Sequence, residues 1–306
     1  MIYTLTLNPA VDLELQISDF AFNSVARAQG SRMDCGGKGF NVSRMLRNLD
    51  VDSTAMGFVG GLNGQRLTQA LAAMGIATHF TEIAGETRTN VSVVAHDSGQ
   101  HIKVNESGPE ITAAELTALV DAVQERLSPG DWWVLGGSLP RGVPDTIYAD
   151  LIQRIESAGA HAVLDTSGAA LRAGCLAGPT LVKPNVEEAM QLLGLSAADV
   201  SGSDDWASAV LGLGPKNLVV SLGKDGALYA TADTLAAVQS PSVVESNPIG
   251  AGDSMVAGLV WKLSTGASLP EAMPWGLACG AATASRRGTE LGSLTQVTDL
   301  VASMTS

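Results

Sequence analysis

Apolar positions along this chain recur in two rhythms, short runs with the period of a strand and longer stripes with the spacing of a helix, and together they predict a β-α order almost from end to end. Thr4 to Leu7 read as a first strand, stopped at Asn8-Pro9 because proline has no N–H for a ladder. Leu13 to Ile17 alternate again. Val42, Met45, Leu46 and Leu49 then fall at helical spacing, and a strand over Thr54 to Val59, a turn at Gly60-Gly61 and a helix over Gln65 to Met74 follow. Here the rhythm breaks. Thr89 to Ala95 and His101 to Asn105 predict two strands joined by the turn Asp97-Ser98-Gly99-Gln100, a hairpin with no helix inside it and hence a small sheet apart from the main one.

Alternation then resumes. Helices are expected over Ala113 to Leu127, Thr146 to Ala158, Val186 to Leu193 and Trp206 to Leu211, and strands over Trp132 to Leu135, Ala162 to Leu164, Leu181-Val182, Leu218 to Leu222 and Ala227 to Ala230. Two helices close the chain, one from Gly252 and one over roughly Leu269 to Ser285. This order predicts an α/β fold with a mainly parallel sheet and helices on both faces. No repeat, linker or low-complexity run divides the 306 residues, which read as one domain, 1–306. Ligands of such sheets collect at the carboxyl ends of strands, where Asp12, Ser138, Asp165, Lys183, Asn185 and Gly223 fall. Asp12 reads equally well there as an ordinary turn residue.

Two glycine-rich junctions stand out. Asn247-Pro248-Ile249-Gly250-Ala251-Gly252-Asp253-Ser254 runs into the apolar stretch from Met255, a loop whose exposed N–H groups and helix dipole would make an anion site with Asp253 in the first turn. An acid beside an anion site suggests a base next to a phosphate. Taken alone, Asp253 is more simply a helix cap. The second junction, Cys35-Gly36-Gly37-Lys38-Gly39-Phe40-Asn41, fits neither the dinucleotide nor the nucleoside-triphosphate glycine pattern, because Phe40-Asn41 follow Gly39 and no third glycine comes after them. The Asn41 side chain could bond sugar hydroxyls or cap the helix.

Charge narrows the partners. With 18 basic and 31 acidic residues the net charge is −13, which argues against nucleic acid and makes each Lys or Arg informative. Arg88, Asn90 and Lys103 lie on the hairpin, where the two cations are either ligand contacts or solvated strand charges. No apolar run is long enough to span a bilayer, and Met1 to Leu7 carry no basic leader, so the reading is a cytoplasmic protein without a membrane partner. Cys35, Cys175 and Cys279 are far apart and odd in number, which fits free thiols.

Gly36-Gly37-Lys38-Gly39-Phe40-Asn41, Gly250-Ala251-Gly252-Asp253-Ser254 and Lys183-Pro184-Asn185 with Glu188 together resemble the ribokinase, or phosphofructokinase-B, family over nearly the whole chain. Thr6 to Asp12, Thr87-Arg88-Thr89-Asn90 and Gly137-Ser138-Leu139-Pro140 resemble the branch acting on ketohexose monophosphates, most closely its fructose 1-phosphate kinases and next its tagatose 6-phosphate kinases. The resemblance implies a three-layer ribokinase-like fold with a β lid formed by about 12–35 and 88–106, and ATP-dependent phosphorylation of fructose 1-phosphate, with tagatose 6-phosphate or fructose 6-phosphate as alternatives. A sugar-phosphate-binding regulator without turnover is the rival of another class. By the resemblance Asp253 is the general base, and in the loop opened by Gly250 the amides of Ala251, Gly252 and Asp253 hold the charge on the transferring group. Asp12, Gly37, Asn41, Asn90 and Ser138 line the sugar site, and Lys38, Arg88, Lys103 and Arg27 bind its phosphate, Arg27 from a partner subunit. Lys183, Asn185, Ser221 and Gly223 face ATP, Glu188 holds Mg²⁺ through water, and the lid joins a homodimer. Pro248 departs from the Thr usual in relatives, which puts any ATP contact or monovalent-cation site built on that Thr in question.

Overall fold

The computed structural model describes residues 1–21, 23–98, 100–195 and 203–304. In chain order the strands are β1 (Ile2–Thr6), β2 (Ala10–Ile17), β3 (Gly30–Gly36), β4 (Thr54–Val59), β5 (Ala77–Glu82), β6 (Arg88–Ala95), β7 (His101–Asn105), β8 (Trp132–Gly136), β9 (His161–Asp165), β10 (Leu181–Val182), β11 (Leu218–Ser221), β12 (Ala227–Ala230) and β13 (Leu235–Val238). Nine form one sheet in the order β13-β12-β11-β10-β9-β8-β1-β4-β5. Every pairing from β5 to β11 is parallel, and only β12 and β13 pair antiparallel.

Alternation along the central strands builds two cores. In β8, Trp133 and Leu135 point to one face, where they meet α3 (Ala113–Gln124), α4 (Ile147–Ser157), α5 (Gly168–Leu176), α6 (Val186–Leu193) and α7 (Ser203–Leu211). Trp132 and Val134 point to the other face, against α1 (Lys38–Asn48), α8 (Ala251–Ser264), α9 (Leu269–Ala284) and α10 (Leu294–Met304). The fold is therefore three-layered. α2 (Gly61–Ala73) packs through Leu67 and Leu71 in a third cluster with Val11, Cys35 and Phe40.

The remaining strands form a small sheet in the order β3-β2-β6-β7. Its register pairs Asp12 with Asn90 and Ser92 with Lys103, so Asp12, Arg88, Asn90 and Lys103 share one face. The opposite face carries Met33, Ile102 and Val104, all exposed.

Several elements go beyond the hydrophobic pattern. β3 and β5 carry too many polar residues to alternate cleanly, α5 is made mostly of small residues, and β13 is a short edge strand. α10 adds a third closing helix that presents Val297 to the core. The Gly60-Gly61 turn is the N-terminus of α2. Gly99 of the expected hairpin turn lies outside the described residues. The three cysteines are free and buried, and among the described residues no helix is long and apolar enough to cross a membrane.

Candidate active site

Gly250 precedes α8 with φ 81°, in the left-handed region that a residue with a Cβ adopts only at a cost, so glycine here lets the loop turn straight into the helix. No side chain caps α8. The N–H of Ala251 donates to the Pro248 carbonyl and that of Ser254 to Gly250, which leaves the amides of Gly252 and Asp253 without an acceptor among the described residues. Two free donors at the positive end of a helix attract an anion. Of the three amides expected to hold the transferring group, Ala251 is already spent.

Asp253 follows in the first turn and is 8% exposed. Burial pushes its carboxyl up to about 6, and the neighbouring charge of Asp165 acts in the same direction, while Lys38, a hydrogen bond from Asn41 and Lys183 oppose them. Asn41 Nδ2 donates to Asp253 Oδ2 at 2.8 Å, and its Oδ1 accepts from Arg44 at 3.1 Å. A carboxyl near 6 is largely ionised at neutral pH yet basic enough to take a proton.

Beside it lies an ion cluster, buried at Asp165 and Lys183 and partly exposed at Lys38. Lys38, the first residue of α1, donates to Asp165 at 2.8 Å, and Lys183 Nζ stands 3.5 Å from the same carboxylate. Burial opposes both the charge of Lys38 and that of Asp165, but each is held ionised by its partners: Asp165 and Asp253 raise Lys38, and Lys183 and Lys38 lower Asp165. Asp165 ends β9 and so reaches the carboxyl edge of the sheet, where α/β sites form. The strand-end position singled it out in the sequence, but nothing there assigned it a role. Arg44, the donor to Asn41, gave no signal beyond standing one helical turn after it.

The expected sugar-side residues divide between two places. Asn41 and Lys38 belong with Asp253. Asp12 and Asn90 belong to the small sheet, where Asn90 Nδ2 donates to Asp12 Oδ1 at 2.8 Å and the Asp12 carboxylate fills the space that a Cβ on Gly36 would take. Gly37 caps α1 against Thr6. Arg88 donates to the carbonyls of Asn8 and Glu106, at 2.9 and 2.7 Å, and keeps Nε unpaired. Asn8, which the sequence reading treated as a strand stop, also reaches the Ser107 carbonyl and the Ser138 hydroxyl. Ser138, Lys103 and Arg27 are exposed, Arg27 in the segment between β2 and β3.

On the other side of α8, Ser221, Gly223, Pro248, Ala251, Gly252 and Ala281 line a cavity of about 510 Å³, large enough for a nucleotide. Lys183 Nζ would lie 3.6 Å from a Cβ placed on Gly252, so its ammonium faces the loop backbone across open space. Asn185 and Glu188 cap α6 reciprocally, each side chain accepting from the other's backbone N–H at 2.8 Å. Only one oxygen of Glu188 stays free, and no group of three His, Cys, Asp or Glu among the described residues could cage a metal. A single carboxylate oxygen fits a hydrated Mg²⁺, which keeps most of its waters.

The model of the pfkB family of carbohydrate kinases matches residues 2–296. The chain belongs to this family. Among curated proteins it is 35% identical over 284 residues to 1-phosphofructokinase of Bacillus subtilis, covering 93% of this chain and 92% of that one. It is 33% identical over 285 residues to 1-phosphofructokinase of Borreliella burgdorferi, with the same two coverages. Among solved structures it superposes on phosphofructokinase-2 of Escherichia coli, crystallised with potassium, at a TM-score of 0.94 and 32% identity, covering 100% of this chain and 99% of that one. As a pfkB carbohydrate kinase the protein is a phosphotransferase with an alcohol group as acceptor and ATP as donor.

Proposed function

We propose that this kinase phosphorylates fructose 1-phosphate at its 6-hydroxyl, giving fructose 1,6-bisphosphate, with Asp253 as general base. The observation that carries the reading is the buried Asp253 carboxylate beside the free amides of Gly252 and Asp253, with Lys38 and Lys183 close to it. Asp253 takes the proton of the 6-hydroxyl as that oxygen bonds to the γ-phosphorus. The bond from phosphorus to the bridging oxygen breaks, and ADP leaves with the electron pair. The two amides and the lysines offset charge on the transferring group, a task of positioning and electrostatics. Ser221 and Gly223 line the space for ATP, and Lys183 and Asn185 serve its phosphates. Mg²⁺, when bound, neutralises charge on the ATP phosphates, and Glu188 with Asn185 would hold its waters.

The choice of fructose 1-phosphate is supported by the names of the curated relatives and by the cations on the small sheet. Asp12 and Asn90 face the sugar hydroxyls. Arg88 and Lys103 share their face and serve the phosphate already on the substrate. The opposite face, with exposed Met33, Ile102 and Val104, fits a second copy of the chain, which would bring its Arg27 to the same phosphate. The protein then works as a cytoplasmic homodimer with the small sheet as lid.

The test is ADP release with Mg-ATP against fructose 1-phosphate, tagatose 6-phosphate, fructose 6-phosphate and fructose. A kcat/KM for fructose 1-phosphate at least about tenfold above the others is the expected result. A preference for either 6-phosphate would move the assignment to that sugar, and failure on all four would overturn it.

A further inference from the structure

We propose that Arg44 is a positioning residue of this kinase: its guanidinium fixes the side-chain amide of Asn41 in the one orientation that turns Nδ2 toward Asp253. The proposal rests on Asp253 being the base.

The two ends of an asparagine amide have nearly the same shape and opposite hydrogen-bonding character, so a neighbour must decide between them. Here both neighbours decide, and they agree. Arginine can only donate, so the end facing Arg44 at 3.1 Å is the oxygen. An ionised carboxylate can only accept, so the end facing Asp253 at 2.8 Å is the nitrogen. Arg44 stands three residues after Asn41 in α1, the spacing that places two side chains on one face of a helix. Its second donor reaches the Thr289 carbonyl at 3.1 Å and anchors the guanidinium to the loop after α9. That loop is itself tied to the approach to α8, because Asn247 donates to the Gly288 carbonyl at 2.7 Å. Without Arg44, Asn41 Oδ1 has no other partner among the described residues. Asp253 alone would then hold the amide, and the Asn41 side chain would be free to swing off the base and take its donor with it. The charged groups that face Asp253 directly, Lys38 from α1, Asp165 from β9 and Lys183 after β10, are separate from this route and stay in place when Arg44 changes.

The test is a double-mutant cycle on the whole chain with Mg-ATP and the preferred sugar phosphate of the panel. The variants are Arg44→Met, which keeps the aliphatic stem, Asn41→Ala and the pair. Arg44→Met should lower kcat about 10- to 100-fold with each KM within about threefold of wild type, and the pair should be no slower than Asn41→Ala alone to within about twofold. Arg44→Lys, which keeps the charge but has a single donor nitrogen in place of the two that reach Asn41 and Thr289, should recover part of the loss and guards against a variant that fails to fold. Effects of the two single substitutions that multiply, or an unchanged kcat in Arg44→Met, would overturn the proposal. Asp253→Asn is run in parallel. Retained turnover there would remove the base reading itself, whereas a dead Asp253→Asn with a multiplicative cycle would remove Arg44 alone.

Discussion

Lys38 and Lys183 converge on a single carboxylate, Asp165, at 2.8 and 3.5 Å, and that carboxylate lies close enough to Asp253 to raise its pKa. Asp165 thus holds two cations at the site and at the same time makes the base more basic.

The sign of an Asp165→Asn change follows. Losing the negative charge at 165 leaves Lys38 and Lys183 acting on Asp253 with less opposition, so the Asp253 pKa falls. The acid limb of the kcat–pH profile is expected to move to lower pH while kcat at its plateau drops, because the lysines are no longer held. A limb that stays in place or moves up would show that Asp165 does not act on the base.

Asp253 itself titrates from a burial-raised value of about 6, so wild-type kcat should fall as the pH drops through that region. Asp253→Asn is expected to lower kcat by about 10²- to 10⁴-fold with sugar-phosphate binding retained, measured by steady-state kinetics and by calorimetric titration.

The same carboxylate is a stability cost. Its folded pKa lies above the unfolded 3.8, so the fold binds this proton more tightly than the unfolded chain, and wild-type stability declines as the pH rises between 3.8 and about 6. Asp253→Asn, which mimics the protonated form, should therefore be more stable than wild type above pH 6, by up to about 3 kcal/mol. Denaturant titrations should show the gain shrinking toward pH 4.

Gly252 separates the two kinds of demand on the loop. A methyl there would stand 3.6 Å from Lys183 Nζ, an ordinary contact, so Gly252→Ala should fold with a thermal midpoint close to wild type. The methyl would nonetheless occupy the space between the free amides and Lys183. A rise in KM for ATP or a fall in kcat of about tenfold or more is expected from kinetics.

Gly258 shows the opposite pattern. An added Cβ would meet the Trp275 carbonyl at 2.6 Å and Cys279 Sγ at 2.8 Å, where α8 crosses α9, and a backbone oxygen cannot step aside alone. Gly258→Ala should cost about 1–3 kcal/mol with little change in KM, measured by thermal unfolding and kinetics.

The layered sheet, the hairpin and the two glycine junctions were legible because each rests on local pattern. Trp132 to Leu135 declare a buried strand by being apolar throughout, and Gly250 to Asp253 declare a loop-to-helix junction by their glycines. β3 was not legible, since Gly-Ser-Arg-Met-Asp-Cys-Gly is recognisable as a strand only beside β2. The site was legible residue by residue but not in its grouping. Lys38 and Arg88 read together as scarce cations, yet Lys38 pairs with Asp165 at the end of β9 while Arg88 bonds backbone carbonyls of Asn8 and Glu106. Sequence separations of 127 and 80 residues are closed by the sheet topology, which no local pattern carries.

Only three residues, Leu7 to Pro9, join β1 at the centre of the large sheet to β2 of the small one, and Glu106 to Thr112 lead back from β7 to α3. The Arg88 guanidinium bonds one carbonyl in each of these connectors. In mechanical terms it is a cross-brace between two struts, stiff against sliding of one past the other. The small sheet is thus braced to the large one by a residue on the face that carries Asp12 and Asn90.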